Sequence, residues 1–388
     1  MKIKTFIKLG DICDISAGQG APQGDSNYCD NGTPFVKAGN LIELLQGKNE
    51  TDIQKVSEDV AKKHKLKKYT AGSILFAKSG MSCMKGYVYQ LKNDSYVVSH
   101  LAIVKPIKDS SDYIEYCLRH IKPNSLVKDE AYPSISLQDI SNLKIPLPSL
   151  EEQIKISKQL YICTQIINKH KKQLERYDTL IKSRFIEMFG DPVQNPMGWE
   201  VKKLGNICTK ISDGVHAKPE YTSTGKPFIS VVNINSGKLL FDDCKYVSEE
   251  AYEKMIKSTH PEKGDVLYTK VGATYGIPAL VDTDKDFCLY VSVALLKPKS
   301  EIVNSQFLTI SMAQPYIKNQ ADKRIKGIGV PDLHLNQIRE FDILLPPLEL
   351  QNQFKDFVQQ IDKSKFAVQK SLEKTETLYK SLMQRYFA

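Results

Sequence analysis

The sequence predicts an α+β protein: two similar mixed α/β domains, separated by two long helices that pack as an antiparallel coiled coil with pseudo-twofold symmetry. Two observations carry this prediction. The segment "LPSLEEQ" at residues 147–153 returns 198 residues later as "LPPLELQ" at residues 345–351, a spacing that suits a whole domain rather than a short repeat. Each copy then opens a long stretch without proline or glycine, residues 151–189 and 348–388.

Four further pairs of similar segments occur in the two halves of the chain. Their order is the same in both halves, and the offset between partners stays between 192 and 198 residues. This pattern predicts a tandem duplication with small insertions and deletions in loops. The pairs are "KLGDICDISAG" and "KLGNICTKISDG", "TPFVKAGNL" and "KPFISVVNI", "GSILFAKSG" and "GDVLYTKVG", and "HLAIVKP" and "SVALLKP".

Each half has the pattern of a mixed α/β domain of about 150 residues. The β-branched and aromatic runs "SILFA", "YVVSHLAIV", "DVLYT" and "FCLYVSVALL" are bounded by turn residues, which predicts strands. Helices are predicted at residues 112–120 and 305–318. The last strand of each half should end at the proline pair, because proline cannot donate to a strand ladder.

The two stretches after the exits have heptad seams, which predict long helices of about 60 Å. The predicted seams are Ile156, Leu160, Cys163, Ile167, His170, Leu174, Tyr177 and Ile181, and Phe354, Val358, Ile361, Lys365, Val368, Leu372, Thr375 and Tyr379. We expect the helices to pack on each other; two independent surface helices are the alternative. The linker of about 13 residues reaches at most about 45 Å, which favours an antiparallel pair.

The composition is that of an ordinary globular protein. The 388 residues are 41% hydrophobic and 26% charged, which fits two or three domains and argues against disorder. A formal charge of +9 favours a polyanionic partner without requiring one. The N-terminal segment lacks an apolar signal region, and no run is long enough to span a membrane. We therefore expect a cytoplasmic protein.

No catalytic residues or metal ligands are predicted. The eight cysteines form no CxxC pair and no zinc-like cluster with histidine, so we expect reduced structural thiols. The segment "STGKP" lacks the glycine spacing of a phosphate-binding loop, and "NPMGW" is not the "NPPY"-like motif of amino-methyltransferases. His216 near Asp213 is interpreted as polar surface rather than as an acid–base pair.

The chain resembles the specificity (S) subunits of type I restriction-modification systems over essentially its whole length. The resemblance lies in the exits "IPLPSLEEQ" and "LLPPLELQ", the hairpins "GSILFAKSGMSCMKG" and "GDVLYTKVGATYG", and the approach "GIGVPDLHLNQIREFD". The first copy, "AYPSISLQDISNLK", lacks the glycine-rich lead. The resemblance implies a first target-recognition domain at 1–148, a first spacer helix at 149–190, a second target-recognition domain at 191–346 and a second spacer helix at 347–388.

The resemblance also implies a function. The chain would be a non-catalytic, sequence-specific subunit that recognises a bipartite site in double-stranded DNA and binds two copies of a methyltransferase (M) subunit. It would carry no cofactor, while S-adenosylmethionine, ATP and Mg²⁺ would be bound by partner subunits; whether a restriction (R) subunit exists stays open. The alternatives are a standalone nuclease or methyltransferase with an unfamiliar active site, and a structural adaptor that binds protein.

The candidate DNA contacts lie in loops where the two copies differ while the framing strands agree, since phosphate contacts position a domain and base contacts specify the sequence. Lys78 and Lys270 lie at the same point of the same hairpin. The predicted contacts are Lys78, Ser79, Ser82, Lys85, Tyr132 and Ser134 in the first domain, and Lys218, Tyr221, Lys270, Thr274, Tyr275, Arg324 and Lys326 in the second.

Overall fold

Two sets of strands and helices follow one another along the chain in nearly the same order. The computed structural model describes residues 5–325 and 329–388. It forms two units, Met1–Lys172 with Gln369–Ala388, and Gln173–Val368. The elements that lead to the end of the first long helix are β1 (Phe6–Lys8), β2 (Cys13–Ala17), β3 (Thr33–Val36), α1 (Asn40–Leu45), β4 (Lys55–Val56), α2 (Glu58–Lys63), β5 (Ile74–Ala77), β6 (Val88–Gln90), β7 (Tyr96–Val97), β8 (Leu101–Pro106), α3 (Ser111–Ile121), α4 (Leu137–Ser141), β9 (Lys144–Pro146) and α5 (Leu150–Phe189).

The second set repeats this plan. Its elements are β10 (Glu200–Lys203), α6 (Leu204–Ile207), β11 (Cys208–Asp213), β12 (Lys226–Ile229), β13 (Lys245–Val247), α7 (Glu249–Ile256), β14 (Val266–Thr269), β15 (Pro278–Leu280), β16 (Cys288–Leu289), β17 (Val293–Pro298), α8 (Ser305–Met312), α9 (Pro315–Asp322), α10 (Leu335–Arg339), β18 (Asp342–Leu345) and α11 (Leu348–Phe387).

The sheets of the two units have the same topology. The order β2-β8-β5-β6 in one corresponds to β11-β17-β14-β15 in the other, β4-β3-β7 to β13-β12-β16, and β1-β9 to β10-β18. The parallel strand pairing also recurs, between β3 and β7 and between β12 and β16. Strands β5 and β14 are buried along their whole length, so both lie in the centre of a core. The predicted duplication of a mixed α/β domain is confirmed.

Two of the predicted strands each divide in two. The run at residues 96–104 contains β7 and β8, and the run at 287–296 contains β16 and β17, and in each pair the strands belong to different sheets. A tight turn separates them: the N–H of Leu101 donates to the carbonyl of Val98, and that of Val293 to Tyr290, both at 3.0 Å. The apolar character continues through the turn because both flanking strands are buried, so hydrophobicity alone did not reveal the break.

The helix predicted at residues 305–318 is two helices. Helix α8 ends at Met312 and α9 begins at Pro315, because proline fits the first turn of a helix but breaks its interior. The helix predicted at 112–120 is confirmed as α3. The Ser110 hydroxyl caps it by accepting a hydrogen bond from the N–H of Tyr113 at 3.4 Å.

Within the first unit, the start of α5 packs along the end of α11. The Tyr386 hydroxyl donates to the Gln159 side chain at 2.8 Å, and Ser371 Oγ lies 3.2 Å from His170 Nε2. Residue numbers therefore rise along one helix as they fall along the other, and the pair is antiparallel as predicted.

The second unit holds the remaining parts of the same two helices in the same arrangement. The Lys365 ammonium donates to Asp178 at 2.5 Å, and further along the pair the rings of Phe185 and Phe354 lie 5.6 Å apart at 73°. Phe189 and Phe307 complete an aromatic cluster. This cluster fastens the end of α5 and the start of α11 to α8 of the domain.

A buried glutamine makes equivalent contacts in both copies of the exit segment. Gln153 and Gln351, the last residues of the two copies, are 1% and 0% exposed. The side-chain oxygen accepts the N–H of Ser110 in the first unit and of Asn304 in the second, at 3.0 and 2.9 Å. The side-chain NH₂ group donates to the carbonyl of an exit proline, at 3.0 and 2.8 Å. Each glutamine thus joins its long helix to the cap of a domain helix, α3 or α8.

Candidate nucleic-acid interface

In each unit, two loops are joined into one surface that we call the hairpin face: the turn after β5 or β14, and the segment that precedes α4 or α10. In the first unit the N–H of Gly80 donates to the carbonyl of Pro133 at 3.0 Å, and the N–H of Ile135 to that of Lys78 at 2.7 Å. The second unit repeats both bonds, with Gly272, Pro331, Leu333 and Lys270.

The glycine in this bridge is required by the backbone. Gly80 and Gly272 have φ of +76° and +93°, a region that side-chain-bearing residues rarely adopt. The turn they make lets the loop meet the segment before the helix. The two copies therefore share a frame, although the first lacks the glycine-rich lead of the second.

On the first unit's hairpin face, Lys78, Ser79, Tyr132 and Ser134 come together, as the loop pairing requires. Tyr132 is 82% exposed and Ser134 is also exposed. The Ser79 hydroxyl lies 2.8 Å from His100 Nδ1. These side chains offer an aromatic ring, hydroxyl groups and a cation at an open surface, which is a suitable set for contacts to phosphates and base edges.

The remaining two predicted residues of this unit lie in the 3₁₀ turn Met81–Lys85. Lys85 is exposed and Ser82 is half-buried. Burial raises the pKa of the nearby Cys83 thiol, and the Lys78 ammonium acts in the opposite direction. Among the described residues, Lys78 has no carboxylate partner, so its charge is available to a ligand.

Lys270, at the corresponding position, has a different environment. Its side chain is buried, and its Nζ lies 3.3 Å from Asp213 and 3.5 Å from Asp332. In the first unit the equivalent strand and loop positions are Ala17 and Ser134. The predicted DNA contact of Lys270 would require its ammonium to leave both carboxylates.

Thr274 and Tyr275 follow in the same loop. Thr274 is exposed, and its backbone carbonyl accepts the Thr269 hydroxyl at 2.7 Å. The Tyr275 hydroxyl donates to Asp322 at 2.5 Å, and Lys318 Nζ lies 3.3 Å from the centre of its ring. The hydrogen bonds from Lys318 and Tyr275 lower the pKa of Asp322. Tyr275 therefore contacts two side chains of α9 and remains partly exposed.

Arg324 has contacts inside its domain. Its guanidinium donates to the carbonyls of Gln320 and Glu340, at 2.8 and 3.0 Å, and lies 5.3 Å from the centre of the Phe341 ring. These contacts close the end of α9. Lys326 lies outside the described residues.

Lys218 and Tyr221 belong to a separate surface, in the loop between β11 and β12. The Tyr221 ring packs edge-on against Phe228 with 5.8 Å between centroids. Two ammonium groups lie over it: Lys218 Nζ at 5.8 Å and Lys245 Nζ at 4.3 Å from the centroid. Lys245 is the closer cation, but it was missed in the sequence because it comes from a later strand, β13.

Seven of the eight cysteines are buried, and Cys29 is exposed. All eight cysteines lie in the described part of the chain and are free, and burial raises the pKa of Cys13, Cys208 and Cys288 to about 12. Within residues 5–325 and 329–388, no group of His, Cys, Asp or Glu is placed to hold a metal ion. No helix in these described ranges is long and apolar enough to cross a membrane.

A second exposed surface, the α5 stripe, lies on the first half of α5. Its five apolar side chains are between 38% and 58% exposed; they are Leu150, Ile154, Tyr161, Ile162 and Ile166. The residues 198 positions later on α11 are Leu348, Asn352, Gln359, Gln360 and Ser364. The stripe is therefore a feature of α5 that the duplication does not repeat.

Comparison with known proteins shows which family this chain is similar to. A sequence profile described as the type I restriction modification DNA specificity domain matches residues 1–176 and 196–376. Two similar proteins of Methanocaldococcus jannaschii are the type I restriction enzyme MjaVIII and MjaIX specificity subunits. The first is 25% identical over 81% of this chain and 75% of its own length, and the second is 23% identical over 91% and 85%.

Solved structures share the fold. The crystal structure of the type I restriction-modification S subunit from M. genitalium matches with a TM-score of 0.64 at 14% identity, covering 100% of this chain and 97% of the other. A chain from a structure that describes complex assembly and conformational transition of a type I system matches with a TM-score of 0.56 at 17% identity, covering 98% and 97%.

Proposed function

The chain belongs to the type I restriction-modification DNA specificity family, and from this premise we propose that its two domains, residues 1–148 and 191–346, each read one half of a bipartite site in double-stranded DNA. As a specificity subunit it takes part in DNA recognition and is not itself catalytic. What supports the bipartite reading is the duplicated hairpin face: the same backbone bonds in both units carry different exposed side chains.

A common frame with different side chains is what independent reading of two sequences requires. Backbone contacts hold the loops at fixed positions, while base edges are distinguished by the side chains that the loops present. The proposed contacts that are most open to DNA are Lys78, Ser79, Ser82, Lys85, Tyr132 and Ser134 in the first domain, and Lys218, Tyr221 and Thr274 in the second. Lys270, Tyr275 and Arg324 need their present partners to be exchanged first.

The long helices are proposed to hold the domains and to bind the modification enzyme. Helices α5 and α11 each run from one unit into the other, so their length would determine how many unread base pairs separate the half-sites. Two methyltransferase subunits, which bind S-adenosylmethionine, would dock on them, and a restriction subunit that uses ATP and Mg²⁺ would join where one exists. The α5 stripe is the proposed apolar contact for one methyltransferase.

Methylation mapping in cells tests this function. Deleting the chain while keeping its methyltransferase should abolish methylation at one sequence made of two short specific parts around an unread spacer. Restoring the chain should restore methylation at that sequence. Methylation that persists without the chain, or a single uninterrupted motif, would contradict the proposal.

A further inference from the structure

A tyrosine that carries a lysine over its ring occurs at the same place in both domains. Tyr28 precedes Phe35 by seven residues and Tyr221 precedes Phe228 by seven. Both tyrosine rings pack edge-on against these phenylalanines, with centroids 6.2 and 5.8 Å apart. The phenylalanines lie in β3 and β12, the strands that form the parallel pair of each unit.

The lysines that cover the two rings come from different positions. In the first domain it is Lys37, which follows β3 and places its Nζ 4.4 Å from the Tyr28 centroid. In the second domain the closer of two lysines is Lys245 of β13, whose Nζ lies 4.3 Å from the Tyr221 centroid, while Lys218 Nζ lies 5.8 Å away.

The place of Lys245 is taken by Gln54 in the first domain. Gln54 faces Phe35 across the strands, as Lys245 faces Phe228. Its side-chain oxygen accepts a hydrogen bond from Lys37 Nζ at 2.6 Å. A positive charge therefore lies over the equivalent ring in both domains, although lysines at non-equivalent positions supply it.

The charges at both places are available. In the part of the chain that the structure describes, neither the Lys37 nor the Lys245 ammonium forms an ion pair with a carboxylate. An ammonium above an aromatic ring keeps its charge while the ring limits its motion. Holding a lysine in place before binding lowers the side-chain entropy lost when it meets a phosphate.

We propose that Lys37 on Tyr28 and Lys245 on Tyr221 are equivalent DNA-backbone contacts, one in each domain, in which the tyrosine ring positions the lysine for a phosphate. This inference rests on the proposed function, because the phosphate is that of the DNA which the domains read. It adds Tyr28, Lys37 and Lys245 to the interface and gives Tyr221 the role of a positioning residue.

The test uses the full chain assembled with its methyltransferase. Binding is measured by fluorescence anisotropy, at several salt concentrations, to a duplex with the methylated sequence and to a random duplex of equal length. Lys37→Ala and Lys245→Ala should each make the slope of log K against log salt shallower by about 0.9, because each removes one phosphate contact. Both duplexes should lose affinity by the same factor, since a backbone contact carries no sequence information.

Three further variants distinguish a specific contact at this site from a general effect of positive charge. Lys37→Arg should keep the wild-type slope. Tyr28→Leu should keep the slope but weaken binding, because the lysine stays charged and loses its platform. Lys285→Ala removes a lysine that lies 4.5 Å over Phe241 elsewhere in the second domain, and it should leave the slope unchanged.

Wild-type slopes in both alanine variants would overturn the inference, as would an equal change in Lys285→Ala or wild-type affinity in Tyr28→Leu. A wild-type complex that binds neither duplex would instead contradict the proposed function. Equal thermal unfolding midpoints would show that the variants are folded.

Discussion

At the scale of the residue, the two hairpin lysines differ because of their neighbours. Lys270 lies between Asp213 and Asp332, whereas Lys78 has no carboxylate partner within the described ranges. Removing Lys270 would leave two carboxylates without their cation, one of them largely shielded from water. Removing Lys78 would leave no charge uncompensated.

Lys270→Met should therefore lower the free energy of unfolding by about 1–3 kcal/mol, less than for a fully buried pair because Asp332 is partly exposed. Lys78→Met should change it by no more than about 0.5 kcal/mol. Urea denaturation of the two variants in parallel measures the difference. Equal midpoints for the Lys270→Met and Lys78→Met variants would show that the ion pairs of Lys270 contribute nothing to stability.

The converse exchange gives the second hairpin the surroundings of the first. Asp213→Ala with Asp332→Ser frees the Lys270 ammonium, so the assembled complex should show a salt slope steeper by about 0.9. Adding Lys270→Met to the same double variant is the control and should remove the gain. A slope that does not steepen would mean that Lys270 is not directed towards DNA.

The position of these lysines was predictable and their environment was not. The repeated hairpin sequence places Lys78 and Lys270 at equivalent positions, because turn residues can be recognised from the local sequence. Asp213 and Asp332 come from a strand and a loop far along the chain on either side of Lys270. Such contacts depend on tertiary pairing, which no local pattern records.

At the scale of the element, the exit glutamines join the long helices to the domains. Gln153→Ala or Gln351→Ala would leave the part-buried N–H of Ser110 or Asn304 without its acceptor. Each should cost about 1–3 kcal/mol. Urea denaturation should show this loss, while Gln165→Ala, at an exposed position of α5, should be neutral. A wild-type midpoint for both exit variants would refute this role.

The α5 stripe makes a prediction about assembly. Ile154→Lys with Tyr161→Lys places charge in the exposed apolar surface and should release one of the two methyltransferase subunits. The matched control, Asn352→Lys with Gln359→Lys, changes the polar positions 198 residues later on α11 and should retain both. Native mass spectrometry counts the subunits. Two subunits on the stripe variant, or fewer than two on the wild-type chain, would contradict this assignment.

Long elements were easier to predict than short ones. The heptad patterns after the exits extend over many turns, so both long helices were evident from the sequence. At residues 96–104 and 287–296 the sequence predicts one strand where the structure has two. Two consecutive buried strands of different sheets form a single apolar run there. Pro315 begins a new helix. The apolar pattern of residues 305–318 continues across this break, and that pattern predicts a single helix.

At the scale of the whole molecule, one domain plan has been used twice with different surfaces. The sheets, the exits and the hairpin bonds are the same in both units, whereas the charges around the hairpin lysines and the lysines over the tyrosines differ. Under the proposed function, a duplicated frame with separate side chains would allow each domain to change its target without disturbing the other.

The most direct test is to exchange one domain and map methylation. Residues 1–147 are replaced by the corresponding domain of a related specificity subunit, and the chimaera is expressed with the methyltransferase in cells without other systems of this type. Genome-wide methylation sequencing should show one half of the bipartite motif replaced, with the other half and the spacer length unchanged. A motif altered in both halves, or not altered at all, would contradict the claim that each domain reads its own half-site.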